Sequence, residues 1–285
     1  MVNLAISLTG ANGDTISLDN NLNYILGAGV RGFGIPTTEV RIAPSAGDGG
    51  YFRHSKRAIR EIDLPITIIG TDRGDVEAKL RRLAALLNVK NGATVVNATY
   101  SDGTSFALSA YYRGGAETVF GDTAGSTFCQ WLITMQAPNP FWLSSTPTTF
   151  TVGSGSTGRG LLPKLTKLRV SSDQTLGIVT ANNAGDVDAY PIWQIRGPVT
   201  NLLVSNGTQS FSFPAAIPGG VTYTVNTEAG TVTDDAENNV YSLLGTAPKL
   251  FSLAPGTSSI TITGTAYTAD TSVKCTYYPR YEVVH

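Results

Sequence analysis

The chain has 285 residues, 41% of them hydrophobic, 31 of them glycine and only 14% charged; this length exceeds what one core usually organises and points to two domains. Twenty basic and 21 acidic residues leave a formal net charge of -1, with twelve of each sign up to Phe150 and eight against nine beyond it. That balance excludes a protein whose main work is gripping nucleic acid through its phosphates.

Val2, Leu4, Ile6 and Leu8 alternate with polar residues, the period of a half-buried strand. Gly10 to Asp14 supplies a turn into Thr15 to Leu18, so the chain is expected to start with a hairpin. This opening lacks the basic and apolar regions of a signal peptide, and no stretch is long and apolar enough to span a bilayer, so the expectation is synthesis in the cytoplasm and no membrane anchor. Asn21 to Ile42 is rich in glycine, with Leu22, Tyr24, Ile25 and Phe33 as anchors, and Gly47 to Gly50 gives a flexible tip. Beside that tip lies the densest basic segment, Tyr51-Phe52-Arg53-His54-Ser55-Lys56-Arg57, with Arg60 following. Arginines and aromatics are enriched at protein interfaces, so Tyr51, Phe52, Arg53, Lys56 and Arg57 are the candidate inter-subunit contacts, read as a protruding loop, with a nucleic-acid arm or solvated surface as the other readings.

Ala58 to Ile69 reads as a strand. Asp72 or Asp75 can cap a helix over 75–88, where Val76, Leu80, Leu83, Ala84 and Leu87 recur at helical spacing, and Asn91-Gly92 ends it. Two strands follow, Ala93 to Tyr100 and Phe106 to Tyr112, joined by an Asp102-Gly103 turn. A further strand carries Phe128, Trp131 and Ile133; Pro138 and Pro140 cannot donate to a ladder, so pairing must stop there. Pro138, Pro140, Phe141 and Trp142 are therefore read as a domain junction, and the Ser/Thr/Gly run behind them as a linker. The division is 1–146, linker 147–163, and 164–285. In the last part short β segments recur (Leu165 to Val170, Gly177 to Ala181, Pro191 to Arg196, Leu202 to Val204, Phe211 to Phe213, Val221 to Asn226, Thr231 to Thr233, Leu250 to Leu253, Ile260 to Thr265 and Ser272 to Tyr278) between turns such as Asn206-Gly207 and Pro255-Gly256. That spacing predicts an antiparallel sandwich.

Catalytic readings have little to stand on. His54 lies in the basic segment and His285 at the end of the sequence, and neither has a neighbour to orient its ring. Asp234-Asp235-Ala236-Glu237 is the best carboxylate cluster, but its surroundings are those of a turn and its spacing is not that of a calcium loop. Gly27 to Gly32 imitates a dinucleotide fingerprint, but Phe33-Gly34-Ile35-Pro36 opposes the helix that would have to open there, so a loop or bulged strand is expected. Cys129 and Cys275 have no metal-ligand spacing and are expected as buried thiols. No catalytic residue, cofactor or metal is expected. Trp193, Tyr223, Tyr241, Tyr267, Tyr277, Tyr278 and Tyr281 could stack on sugars, which leaves a cell-wall or carbohydrate-binding module or a glycosidase as the alternatives; in a sandwich most of these rings belong to the core.

Ala137-Pro138-Asn139-Pro140-Phe141-Trp142 after a β-rich first domain resembles the junction of the distal tail proteins of long, non-contractile-tailed phages. Asn183-Ala184-Gly185 before Tyr190-Pro191-Ile192-Trp193, then Leu253-Ala254-Pro255-Gly256 and Tyr278-Pro279-Arg280-Tyr281, look like that family's second domain. The resemblance implies a mainly β chain with one helix, an N-terminal α+β ring-forming barrel or sandwich domain followed by a C-terminal galectin-like antiparallel sandwich. It implies a structural, non-enzymatic component of the virion: a homohexameric ring at the distal end of the tail, docked to the major tail tube protein on one side and to a tail-tip hub or tail-associated protein on the other, with receptor-binding proteins as further partners. DNA would pass through the channel without sequence-specific binding. The galectin sugar-binding pattern combines His, Asn, Arg, Trp and Glu, and the second half has no histidine before His285, so the label implies a fold rather than lactose recognition.

Overall fold

A computed structural model describes residues 4–18, 23–118, 124–153 and 175–284. The chain divides into two compact units, one formed by the residues up to Ser145 together with those from Tyr281 onward, the other by Thr146–Arg280. The second unit is thus inserted, in chain order, between Ser145 of the first and its closing segment from Tyr281.

The first unit contains β1 (Leu4–Thr9), β2 (Thr15–Ser17), β3 (Tyr24–Leu26), β4 (Thr38–Pro44), β5 (Gly50–Arg57), β6 (Arg60–Ile69), α1 (Arg73–Leu86), β7 (Thr94–Tyr100), β8 (Ser105–Gly114), β9 (Phe128–Ala137) and β10 (Trp142–Ser144). Its main sheet runs β2-β1-β7-β8-β9-β6-β3, with β10 against β8. The two ends of that order approach each other: the Leu26 amide donates to the Leu18 carbonyl at 3.1 Å and the Leu18 amide to Ile6 at 2.8 Å, so the sheet is nearly closed into a barrel. Alternation fills the interior. Ile62, Leu64, Ile66 and Ile68 of β6 are buried together with Ile133 and Met135 of β9, Val96 and Ala98 of β7, and Leu8 of β1.

The helix begins two residues before its expected start and is capped by Asp72, whose side chain accepts from the Asp75 amide at 2.9 Å. Val76, Leu83 and Leu86 are its buried residues. Ala84, expected on that face, is exposed, because Leu86 and Leu87 occupy the inward side instead. Tyr24 on β3 ties the sheet to the helix, its hydroxyl donating to the Lys79 carbonyl at 3.0 Å.

The second unit is an antiparallel sandwich of two sheets, β11-β19-β13-β16-β17 and β12-β18-β14-β15, built from β11 (Thr148–Gly153), β12 (Thr175–Asn183), β13 (Ile192–Arg196), β14 (Thr200–Ser205), β15 (Ser210–Phe213), β16 (Thr222–Asn226), β17 (Thr231–Thr233), β18 (Gly256–Thr265) and β19 (Ser272–Tyr277). Trp193 is fully buried between the layers, with Phe150, Phe211 and Phe251 rings at 5.9, 6.1 and 6.1 Å. Two expectations change here. The start of the linker segment 147–163 is strand β11, because its threonines alternate with Phe150 and Val152 and threonine suits a pleated surface; residues 154–163 and the expected strand Leu165 to Val170 lie outside the described residues. Leu250 to Leu253 is irregular rather than a strand, with one isolated β-bridge, Leu253 to Ala189, and with Phe251 packed in the core.

Candidate interaction arm and its anchor

The segment expected as a loop is a β-hairpin. Among the described residues β4 and β5 pair only with each other, from Thr38 opposite Arg57 to Pro44 opposite Gly50, as a two-stranded sheet outside the barrel. Ser45 to Gly49 closes the tip, with the Ser45 amide donating to the Gly49 carbonyl at 3.2 Å and Gly49 at φ +88. Side chains opposite one another across an antiparallel pair lie on one face. Glu39 with Lys56, Arg41 with His54 and Ala43 with Tyr51 make the polar face; Val40, Ile42 and Phe52 make the other. A bulge sets this division: Arg41 faces His54 while the next residue, Ile42, faces Phe52, leaving Arg53 as the additional residue.

Val40, Ile42, Tyr51 and Phe52 expose 53, 65, 67 and 65% of their surface. Four large side chains left in water on an isolated hairpin, which is marginally stable alone, form an arm with no packing layer from its own fold. Of the expected contact residues, Tyr51, Phe52 and Arg53 are all on the exposed part. Lys56 pairs with Glu39 across the hairpin at 3.2 Å, both largely exposed. Arg57 is engaged within the unit: its Nε donates to Glu282 Oε1 at 2.9 Å, its Nη2 to the same oxygen at 2.5 Å, and its Nη1 bonds Thr38 Oγ1. Arg57 therefore belongs to the root of the arm.

The root is fastened by Arg60, first residue of β6 and only 3% exposed. Its Nε donates to the Pro140 carbonyl at 2.6 Å, Nη1 to Gly32 and Gly34 at 2.6 Å each, and Nη2 to Glu282 at 2.7 Å. Burial lowers its pKa to about 10, partly opposed by Glu282. A buried cation is tolerable only when its donors are satisfied, and here four carbonyls from three segments do so. Gly32 must be glycine for this packing: at φ +96, an added Cβ would lie 2.3 Å from the Glu61 carbonyl. The glycine run is thus a segment pressed on β6, bridged to it by Arg31 and Asp63, and no helix follows it. A cleft of about 510 Å³ opens beside it, lined by Gly34, Ile35, Pro36, Ile59 and Arg60 among others.

The junction residues lie in the first unit. β9 ends at Ala137, immediately before Pro138, as the missing donors require. The Phe141 amide donates to Asn139 Oδ1 at 3.2 Å, and Trp142 is fully buried. After Tyr281, whose ring meets Phe106 edge-on at 5.0 Å, the chain buries Val284 in the first core, where its amide donates to the Phe33 carbonyl at 2.9 Å.

Sequence reasoning passed over the role of Arg60, although a signal existed. It shares the inward phase of Ile62, Leu64, Ile66 and Ile68, and a charge in that phase must find partners. Glu282 had no such signal, since its partners are 225 and 222 residues away.

The other candidates are turn and core residues. Asp234 Oδ1 accepts from the Ala236 and Asn238 amides at 2.9 Å each; the Asn238 hydrogen bonds hold its pKa below the usual carboxylate value. Asp235 Oδ2 accepts from the Thr222 amide at 2.7 Å. Trp193 and Tyr277 are buried, Tyr223, Tyr267 and Tyr281 half-buried, and only Tyr241 and Tyr278 exposed. Among the described residues no group of three potential metal ligands occurs, and no helix is long and apolar enough to cross a membrane.

No protein-family profile matches the chain, and no curated protein does. Solved structures do. SPP1 Dit (gp 19.1), described as a paradigm of the hub adsorption apparatus in phages infecting Gram-positive bacteria, superposes with a TM-score of 0.68 at 13% identity, over 96% of this chain and 98% of that one. A chain of the phage P2 baseplate in its activated conformation with Ca matches at 0.56 and 10% identity over the full length of both chains, and the form with Sr at 0.56 and 9% over 99% of each. The mainly β chain, with one α-helix among the described residues, has the fold of phage Dit hub and baseplate proteins.

Proposed function

We propose that the protein is a structural component of a long, non-contractile phage tail: a homohexameric ring at the distal end of the tube. In this reading the first unit surrounds the channel for DNA, docks to the major tail tube protein on one side and meets a tail-tip hub or tail-associated protein on the other. The second unit is the platform for receptor-binding proteins. The protein is synthesised in the host cytoplasm and ends in the virion. The observation that carries the reading is the exposed arm on a Dit-like fold: Val40, Ile42 and Phe52 present an apolar face that a neighbouring copy would cover. The near-neutral first half suits a channel that lets DNA slide.

The deciding experiment is an image of the tail tip together with the mass of the purified protein with and without tube protein. Six copies in one ring at the tube end are expected. A protein of about 30 kDa that stays monomeric with its tail partners, and is missing from the tip, would end this reading.

A further inference from the structure

The two covalent connections to the second unit leave the first unit after Ser145 and re-enter it at Tyr281. A few residues inside each lies a carbonyl bonded by the same guanidinium: Pro140 on the outgoing side and Glu282 on the returning side. The remaining donors reach Gly32 and Gly34, in the loop that leads into the arm through Thr37, whose carbonyl accepts from the Ala58 amide at 2.8 Å. Arg60 itself comes three residues after the arm ends at Arg57. One buried cation thus touches the entry to the arm, follows its exit, and holds both connecting segments.

We propose that Arg60 is a positioning residue that locks the root of the arm and both connecting segments into one rigid junction, with the Arg57–Glu282 pair as a second fastening on the arm side. The functional importance of the lock rests on reading the arm as an assembly surface; the lock itself does not. Because hydrogen bonds radiate from a single planar group, the arm cannot change its direction without disturbing segments 139–145 and 281–284, and the reverse holds. A lysine at this place has one nitrogen on a flexible stem and cannot serve four separated carbonyls, so charge alone does not reproduce the lock.

Hydrogen exchange on the full chain, read by mass spectrometry at one oligomeric state, tests this. In Arg60→Lys, peptides covering 32–44, 57–60, 139–145 and 281–284 should all exchange faster, on the order of tenfold for protected amides, while α1, β7 and β13 keep their parent rates. Glu282→Ala retains the carbonyl that Arg60 uses and removes the carboxylate that pairs with Arg57 and favours the charge of Arg60, while all four Arg60 hydrogen bonds keep their acceptors; it should speed exchange at the arm root and at 281–284 and leave 139–145 unchanged. Parent-like exchange of the arm in Arg60→Lys, or equal acceleration of all segments including α1 and β7, would overturn the proposal. Should Arg60→Lys fail to fold, Glu282→Ala decides: acceleration confined to 281–284, with a parent-like arm root, removes the fastening. None of these outcomes depends on ring formation, so a failed lock and a failed assembly reading can be told apart.

Discussion

The indole of Trp142 packs on Phe33 with ring centroids 5.0 Å apart and planes 32° from parallel. This contact pins the proline-bounded segment to the loop that precedes the arm, and Trp142 is fully buried within the first core. Trp142→Ala should therefore cost about 3–5 kcal/mol of first-unit stability, the usual range for removing a buried large aromatic. Its buried Nε1 has no hydrogen-bond partner among the described residues, so Trp142→Phe loses packing but no hydrogen bond and should cost clearly less. Chemical denaturation followed by tryptophan-independent circular dichroism distinguishes the two. Equal losses for both variants would mean that the indole nitrogen is satisfied in solution.

Acid should weaken the first unit through α1 and its neighbours. Asp14 is held below its ordinary pKa by the hydrogen bonds from Arg82 at 2.9 and 2.6 Å, and Asp75 by those from Lys79 and Thr71. Both folded pKa values are depressed, so their contribution is present above the unfolded value of about 3.9 and is lost as pH falls below it through the folded values. Denaturant midpoints measured from pH 7 to pH 2 should drop in that acid window, and Asp14→Asn with Asp75→Asn should flatten the drop while lowering stability at neutral pH. Both carboxylates are solvated, so the effect will be modest and weaker in high salt.

How far the residues announce this architecture depends on the range of the interactions involved. Strand alternation in β1 and β6, the Asp72 cap, the Asp102-Gly103 turn and the proline stop after Ala137 are local, and each is readable from a few neighbours. The arm was half visible: Tyr51 to Arg57 stood out by charge and aromatic content, while its partner strand Thr38–Pro44 was hidden inside a glycine-rich run whose pairing only the hairpin reveals. The return of residues 281–284 to the first core was invisible, because a short segment carries no period and its partners, Arg57, Arg60 and Phe33, lie more than 200 positions earlier. The same distance hid the reason why Arg57 differs from Arg53.

Assembly should depend on the apolar face of the arm more than on its charges. Ile42→Ala and Phe52→Ala, alone and together, remove large exposed side chains that contribute nothing to the first core, so circular dichroism and thermal stability should stay near the parent. Incorporation into tails should fall by tenfold or more in the double variant if these residues anchor a neighbour, since buried interface anchors cost about 2 kcal/mol or more when truncated, that is about thirtyfold in affinity. Arg53→Ala tests the charge separately. The bulge leaves Arg53 outside the regular register, and a tail yield close to the parent for Ile42→Ala with Phe52→Ala, combined with a large loss for Arg53→Ala, would assign the contact to the guanidinium instead.

The two cysteines offer a reporter for each unit. Cys129 is buried beside β6, opposite Ile68, with its sulfur 3.8 Å from Thr118 Oγ1, and Cys275 is buried in the sandwich opposite Trp193, where desolvation raises its thiol pKa well above the ordinary value. The thiolate is the reactive form, so Cys275 should resist alkylation in the folded protein at neutral pH and react only when the sandwich opens. Cys129 is protected by burial and should respond to the first unit alone. Timed labelling with a maleimide, resolved by peptide mass, should therefore show Trp142→Ala accelerating modification of Cys129 with little change at Cys275, whereas Trp193→Ala should do the opposite. Joint acceleration of both sites by either substitution would show that the units unfold as one cooperative body, and the two-unit division of the chain would then describe geometry without describing stability.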